Sequence, residues 1–410
     1  RTLSNFSANV IASRWISWGP CALILRMELK HGLHLAYCTN IHRGEDWAQT
    51  FESLKTHTLG VRDCVAPGRA YGIGLRLSDQ AARELCEPPV LDNFQQWLVD
   101  ENCYVFTING FPFGNFHGSR VKEHVYVPDW TSTDRLEYTN RLFDLIAALV
   151  PEGVEGSVST LPGSFKEFIT EESQEQQIRD NIWKCVEHIA DLSDRTGKTL
   201  HLGLEPEPLG YFETSAETVR FFENLRAEHP GSSKLIDHLG VNYDTCHLAV
   251  EYEEPQDALG ALSEAGLRIS KLHLSSALIV KPDADTKAKL KPFEEDVYLH
   301  QVVEKTNSGG LNRYRDLDVA MAAGKNADEW RIHFHIPLHS PDGSWFSTTR
   351  DHIGGVLDML REDPGLCSHL EMETYTWEVL PAELKNREVT DQLVGEYEWT
   401  LKQLQARDLA

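Results

Sequence analysis

Residues 199–208 read TLHLGLEPEP, and the parity of this run decides the fold. Leu200, Leu202 and Leu204 fall on one face of a strand, while His201, Gly203 and Glu205 fall on the other. Pro206 and Pro208 end regular pairing just beyond Glu205, which leaves its carboxylate at a strand end. Three further segments repeat the plan. LGVNYD reaches Asp244 with Leu239, Val241 and Tyr243 on the apolar face, ISKLH reaches His273 beside Leu272 and Leu274, and CSHLEME reaches Glu373 after Leu370 and Met372. An apolar outer face beneath helices, with a polar inner face ending on metal-ligand side chains, is the pattern of a parallel (β/α)8 TIM barrel. Its site gathers at the carboxyl ends of the strands.

Outward from these segments, strand-like and helix-like stretches alternate from residue 33 onward, as a parallel sheet under covering helices requires. The strand candidates are 34–38, 71–77, 104–109, 156–160, 199–205, 239–244, 269–275, 331–336 and 368–374, nine for eight places, so one is accessory. Residues 173–195 put Ile178, Ile182, Cys185, Val186, Ile189 and Leu192 on one helical face and stop at Gly197, a residue suited to a left-handed cap. Thr214 followed by Glu217 reads as a capping box. A last helix carries Val389, Leu393, Tyr397, Leu401 and Leu404 to the outside of the barrel. An insertion at about 276–330 follows His273 directly, either as a lid whose lysines, Arg313 and Arg315 hold an anionic group, or as a solvated loop.

Composition narrows the partners. A length of 410 residues accommodates one elaborated barrel, and a net charge of -24 repels phosphate backbones and anionic lipid, so neither nucleic acid nor membrane insertion is expected. Eight scattered cysteines without a CxxC pair point to reduced thiols and a cytoplasmic setting. Residues 1–26 contain Arg1, Arg14 and Arg26 and no acidic residue. They read as a disordered or non-native tail ahead of Met27, with 27–410 as a single barrel domain.

Two glutamates, an aspartate and a histidine from four strands form a mixed oxygen and nitrogen set for one divalent metal ion: Mn, Mg, Co or Zn. The chain carries no signal for an organic cofactor. The metal set is Glu205, Asp244, His273 and Glu373. His247 follows Asp244 by one helical turn in DTCH, a spacing that an N-cap role for Asp244 does not explain. Glu371 shares a strand face with Glu373 and either competes for the fourth place, touches substrate, or orients a ligand. In HFHIPLH, His333 and His335 share one strand face, with Ile332, Phe334 and Ile336 on the other. They bind substrate or a second metal, or bond within the core, and the histidines of 333–339 also contest the fourth ligand place with Glu373 and Glu371.

These motifs resemble the xylose isomerase-like TIM-barrel (sugar phosphate isomerase/epimerase) superfamily, whose Glu, Asp with His, His and Glu series they match in order. Longer strings, LAYCTNIHRGEDW at 35–47, NGFPFGNFHG at 109–118, VKEHVYVPDW at 121–130, STLPGSFK at 159–166 and LEMETYTWEVLP at 370–381, resemble the metabolite traffic protein EboE family. The resemblance implies a metal-dependent isomerase or epimerase acting on a sugar-like or hydroxy-carbonyl metabolite by proton transfer through an enediolate. Glu205 and Glu373 would be its catalytic pair. It further implies substrate contacts by His247, Asn109, His117, Glu371, His333, His335 and Trp377, a small-molecule substrate, and leaves a homo-oligomer open. Two other readings remain on the same barrel: a non-catalytic metabolite-binding protein, and a phosphoesterase of the endonuclease IV type, which the acidic charge disfavours.

Overall fold

The computed structural model describes residues 29–114, 116–118, 120–323, 327–381, 384–385 and 387–410; the tail read at 1–26 lies outside them. Seven parallel strands come first: β1 (His34–Tyr37), β2 (Tyr71–Arg76), β3 (Cys103–Asn109), β4 (Gly156–Thr160), β5 (Leu200–Leu204), β6 (Leu239–Asp244) and β7 (Arg268–Leu274). An insertion then adds β8 (Leu278–Val280), β9 (Val302–Lys305), β10 (Leu311–Tyr314), β11 (Glu329–Ile332) and β12 (Ser347–Thr348), before β13 (His369–Met372) completes the eight. The barrel order is β1-β13-β7-β6-β5-β4-β3-β2, and a parallel bridge between Cys38 and Gly74 joins the two ends. Helices lie between successive strands, so this is a closed (β/α)8 barrel with a large insertion.

The outward leucines and valines of β5, β6, β7 and β13 are fully or almost fully buried under helices, as their parity demands. Helix Glu172–Thr196 buries the six apolar residues read for it and ends on Gly197 at φ 68. Thr214 accepts from the Glu217 N–H, but the Glu217 carboxylate accepts from Glu213 N–H at 2.8 Å, one residue earlier than a capping box places it. The last helix, Val389–Gln405, docks by Leu393, Tyr397 and Leu404, and the Tyr397 hydroxyl donates to that of Tyr71 at 2.8 Å.

The ninth strand candidate is the one in HFHIPLH, and it is not part of the barrel. Pairing in β11 stops at Ile332, antiparallel to β8 and β9. Beyond it the Phe334 N–H turns back to the Ile332 carbonyl and the Ile336 N–H reaches Ser276, so no ladder continues. His333 and His335 therefore do not share a strand. Their alternation with Phe334 and Ile336 records packing on two sides of an irregular segment.

The insertion is a five-stranded antiparallel sheet in the order β10-β9-β11-β8-β12, and it runs past the expected end at 330 to Thr348. Its neck is pinned where Ala277 N–H donates to Thr349 Oγ1 at 2.8 Å and Thr349 N–H to the Ala277 carbonyl at 3.1 Å. Arg313 pairs with Glu251 and Glu213, and Arg315 with Glu123 and Glu167, so both arginines read as anion holders are already matched by carboxylates. Among the described residues no helix is long and apolar enough to cross a membrane, and the seven cysteines are free thiols.

Two irregularities place the inner residues. Between β6 and β7 the register slips, Val241 pairing with Ile269 but Asn242 with Lys271, which leaves Ser270 as a bulge and sets Asp244 opposite His273. Gly74 is required on β2, because a Cβ there would stand 2.0 Å from Glu371 Oε1 and 2.8 Å from the Tyr37 carbonyl.

Candidate metal centre

At the carboxyl end of the barrel, Glu205, Asp244, His273 and Glu373 each bring one ligand atom within 4.8 Å of all the others, and all four are buried. His273 is their common neighbour. Its Nδ1 lies 3.1 Å from Glu205 Oε1, 3.5 Å from Glu373 Oε2 and 3.6 Å from Asp244 Oδ2. Neighbouring groups fix each carboxylate. Asp244 Oδ1 accepts from the Cys246 and His247 N–H groups at 2.7 and 3.0 Å and from the Ser275 hydroxyl at 2.6 Å, so it is both strand end and helix cap. Glu373 Oε1 accepts from the Asn40 and Asn109 amides at 2.7 and 3.0 Å.

One layer deeper, Glu371 Oε2 accepts from His273 Nε2 at 2.7 Å and from Lys271 Nζ at 2.5 Å, and Lys271 also donates to Ser159. With its Nε2–H committed to Glu371, His273 turns Nδ1 to three carboxylates and, as the imidazolium they favour, donates there to Glu205 Oε1 at 3.1 Å. A carboxylate behind an imidazole in this way is the usual orienting arrangement of a ligating histidine.

The charges do not balance within the protein. Burial lowers the His273 pKa, but Glu373, Glu205 and Asp244, whose Oδ2 is 3.6 Å from Nδ1, overcome it and hold the ring well above its ordinary value. Burial, then Glu205, Asp244 and Glu371, push Glu373 up to about 8 against the pull of His273. Asp244 is held well below its usual range because His247 and His273 outweigh its burial. Glu371, against its burial, is held down to about 2 by Lys271 and His273. Glu205 Oε2 and Asp244 Oδ2 are buried without a hydrogen-bond partner among the described residues. These carboxylates draw positive charge, which the Nδ1 proton of His273 supplies only in part, and a divalent cation in that proton's place would meet a mixed set of oxygen and nitrogen donors.

No family model matches the chain, and no curated protein does, so the resemblance to the EboE strings gains nothing from that side. Solved structures do resemble it. That of an L-ribulose 3-epimerase is 12% identical, covers 92% of this chain and 95% of its own, and superposes with a TM-score of 0.49. A xylose isomerase-like TIM barrel protein from Mycobacterium smegmatis in complex with magnesium is 12% identical over 92% and 97% of the two chains, with a TM-score of 0.49. The IOLI protein with a bound zinc atom is 12% identical over 92% and 99%, with a TM-score of 0.47. The barrel itself stands on its own strand order and closing bridge.

Above the four candidate ligands opens a cavity of about 550 Å³, its mouth included, with Glu205, Glu373, Asn109, His247 and His333 in its wall. Phe111, Phe116, Tyr126, Tyr298 and Tyr375 supply most of the apolar lining, and Glu207 and Gln301 add polar groups. Glu371 lies beneath the ligands and does not line the cavity. His117 stands just behind the wall, its Nε2 on the Asn40 carbonyl at 2.7 Å and its Nδ1 on Tyr298 at 2.9 Å. Trp377 is buried outside the cavity, and Tyr375, two residues earlier, supplies the aromatic face instead. His335 sits beside the ligands, Nδ1 3.0 Å from the Glu373 carbonyl. Burial pushes His333 well below the ordinary imidazole value and His335 down to about 4.

Several site residues carried a sequence signal that was not used. Asn40 continues the inward parity of Ala36 and Cys38, Lys271 precedes His273 by two on the same face, and Glu207 follows Glu205 by two in EPEP. Gln301, Tyr298 and Tyr126 come from connections, where no periodicity points to them.

Proposed function

We propose that the chain is a divalent-metal-dependent isomerase or epimerase that moves a proton on a sugar-like or hydroxy-carbonyl metabolite. What carries the proposal is that Glu205 and Glu373 belong to the four-ligand set and also line the cavity above it. A divalent ion held by Glu205, Asp244, His273 and Glu373 would polarise a substrate oxygen and acidify the adjoining C–H bond. The remaining work falls to side chains. Asn40 and Asn109 hold Glu373 by Oε1, which directs its other oxygen toward the ligand set, while Glu205 Oε2 has no partner among the described residues. Two carboxylates on one cavity allow one to take the proton and the other to return it, the requirement of an enediolate route. The aromatic wall excludes water, and His247, Gln301 and Glu207 offer hydrogen bonds to substrate hydroxyls.

The test is solvent-deuterium exchange. Purified protein incubated in D2O with a panel of ketoses and hydroxyketones is expected to label the carbon next to the carbonyl, with the rate lowered about 1,000-fold in Glu373→Gln. Absence of label from every member of the panel, with the metal bound, would remove the proposal.

A further inference from the structure

The cavity above the candidate ligands is divided by its chemistry. At the strand ends, Asn40 and Glu207 stand with Glu205 and Glu373, and Asn40 Oδ1 and Glu207 Oε1 are buried without a hydrogen-bond partner among the described residues. Free polar capacity is therefore found at this end, where a hydroxy-carbonyl head would sit. The other end is built from the connection after β3, the insertion and the turn after β13. There Phe111, Pro112, Phe116, Val121, Val125 and Leu299 bring no polar side-chain atom. Phe116, Val121 and Tyr298 form an apolar cluster of their own, apart from the barrel core. The Phe116 ring centre is 5.3 Å from that of Tyr298 and 5.4 Å from that of Tyr375, and the two tyrosine rings are 5.2 Å apart, so three rings from three segments pack on one another.

The polar groups at this end are already engaged. Lys122 Nζ donates to Asp316 at 2.6 Å and to the Glu295 carbonyl at 2.8 Å. His117 donates from Nε2 to the Asn40 carbonyl, so its Nδ1 accepts the Tyr298 hydroxyl proton at 2.9 Å. The wall is also held in place, because the Val121 and Lys122 N–H groups both donate to the Val297 carbonyl at 2.8 Å and tie the β3 connection to the insertion. A polyol lying here would give up water along its chain and leave hydroxyls unpaired against the apolar half. A cation meets Lys122 and the Arg76 guanidinium, which stands 5.8 Å from the Phe116 ring centre. An anion finds the Lys122 charge already matched by Asp316. A neutral apolar group suits this end.

We propose that the cavity takes a hydroxy-carbonyl compound whose body is a neutral apolar ring, an aryl hydroxyketone by class, in preference to a free sugar. The inference rests on the proton-transfer reading for the head of the molecule and adds the nature of the rest.

Two probes with the same hydroxymethyl ketone head test it: 2-hydroxyacetophenone, which carries a phenyl ring, and dihydroxyacetone, which carries a second hydroxymethyl group. D-fructose serves as the free ketose. Full-length protein loaded with Co²⁺ is assayed for deuterium exchange in D2O, each rate divided by that of the same compound in buffer with Co²⁺ alone. The corrected kcat/KM is expected to be at least about 100-fold higher for 2-hydroxyacetophenone than for the other two. Phe116→Ala should lower it about tenfold more for the aryl compound than for dihydroxyacetone, through KM. Should that variant not fold by circular dichroism, Val125→Ser takes its place with an expected differential of about threefold. A free ketose exchanged as well as the aryl compound, or equal effects of the substitution on both probes, overturns the inference and leaves the isomerase proposal standing. Absence of label from all three overturns the isomerase proposal instead, and calorimetry then decides the apolar body. 2-Hydroxyacetophenone must bind at least about tenfold more tightly than D-fructose, and equal or undetectable binding of both removes the inference.

Discussion

Glu371 accepts two hydrogen bonds on one oxygen, from Lys271 and from His273, and the two can be separated by substitution. Toward Lys271 it neutralises a wholly buried ammonium; toward His273 it fixes the ring that faces the ligand set. Glu371→Gln keeps an acceptor for the ring but strands the lysine, an uncompensated buried charge that costs about 3–5 kcal/mol. It also makes His273 a poorer ligand, with divalent-metal affinity expected to fall about 10- to 100-fold. Lys271→Met/Glu371→Gln removes the stranded charge, so urea unfolding should recover most of the lost stability. Calorimetric Co²⁺ affinity at the carboxylate site should stay low. Recovery of both together would show that the carboxylate acts on the metal site only through fold stability.

At the scale of elements, the barrel closes through a narrow contact: Gly74 of β2 against Glu371 of β13 and the Tyr37 carbonyl of β1. Glu371 is tethered by Lys271 and His273 and cannot swing aside, so Gly74→Ala must move backbone or break the tether. A destabilisation of about 2–3 kcal/mol is expected, together with weaker Co²⁺ binding because His273 loses its alignment. Differential scanning calorimetry checks it, and an unchanged Tm would refute the steric argument. The same contact shows what sequence could convey. Strands β5, β6, β7 and β13 were legible because one face is apolar and the other polar, and Glu205, Asp244, His273 and Glu373 followed from that parity. Gly74 was not legible, since its constraint comes from a side chain almost three hundred residues away. The Ser270 bulge left only a faint mark on the alternation, an apolar Ile269 at the opposite parity from Leu272 and Leu274. In HFHIPLH the alternation was genuine but misleading, because burial on two sides imitates a strand where no ladder exists. The end of the insertion was hidden for a similar reason: β12 has only two residues, too few for any period.

Across the whole molecule, the last helix, the segment after β13 and the stretch between β11 and β12 of the insertion meet at one buried carboxyl. Glu396 Oε1 accepts from the Thr374 hydroxyl at 2.6 Å and from the Leu338 N–H at 3.0 Å, while Oε2 has no partner among the described residues. Burial pushes its pKa up to about 7, and the two hydrogen bonds only partly oppose that. The group is thus protonated more readily in the fold than in the unfolded chain. Its contribution to stability is fully present below the unfolded value, near 4.5, and is lost as pH rises through about 7. In Glu396→Gln that titration is gone. Urea unfolding at pH 5, 6, 7 and 8 should therefore show the wild type losing about 2–3 kcal/mol relative to the variant across the series, with most of the change between pH 5 and 7. Other titrating groups cancel in the comparison because both proteins share them. A difference that stays flat with pH would mean that the carboxyl is ionised in the fold, and that the junction of barrel, insertion and last helix tolerates a buried charge.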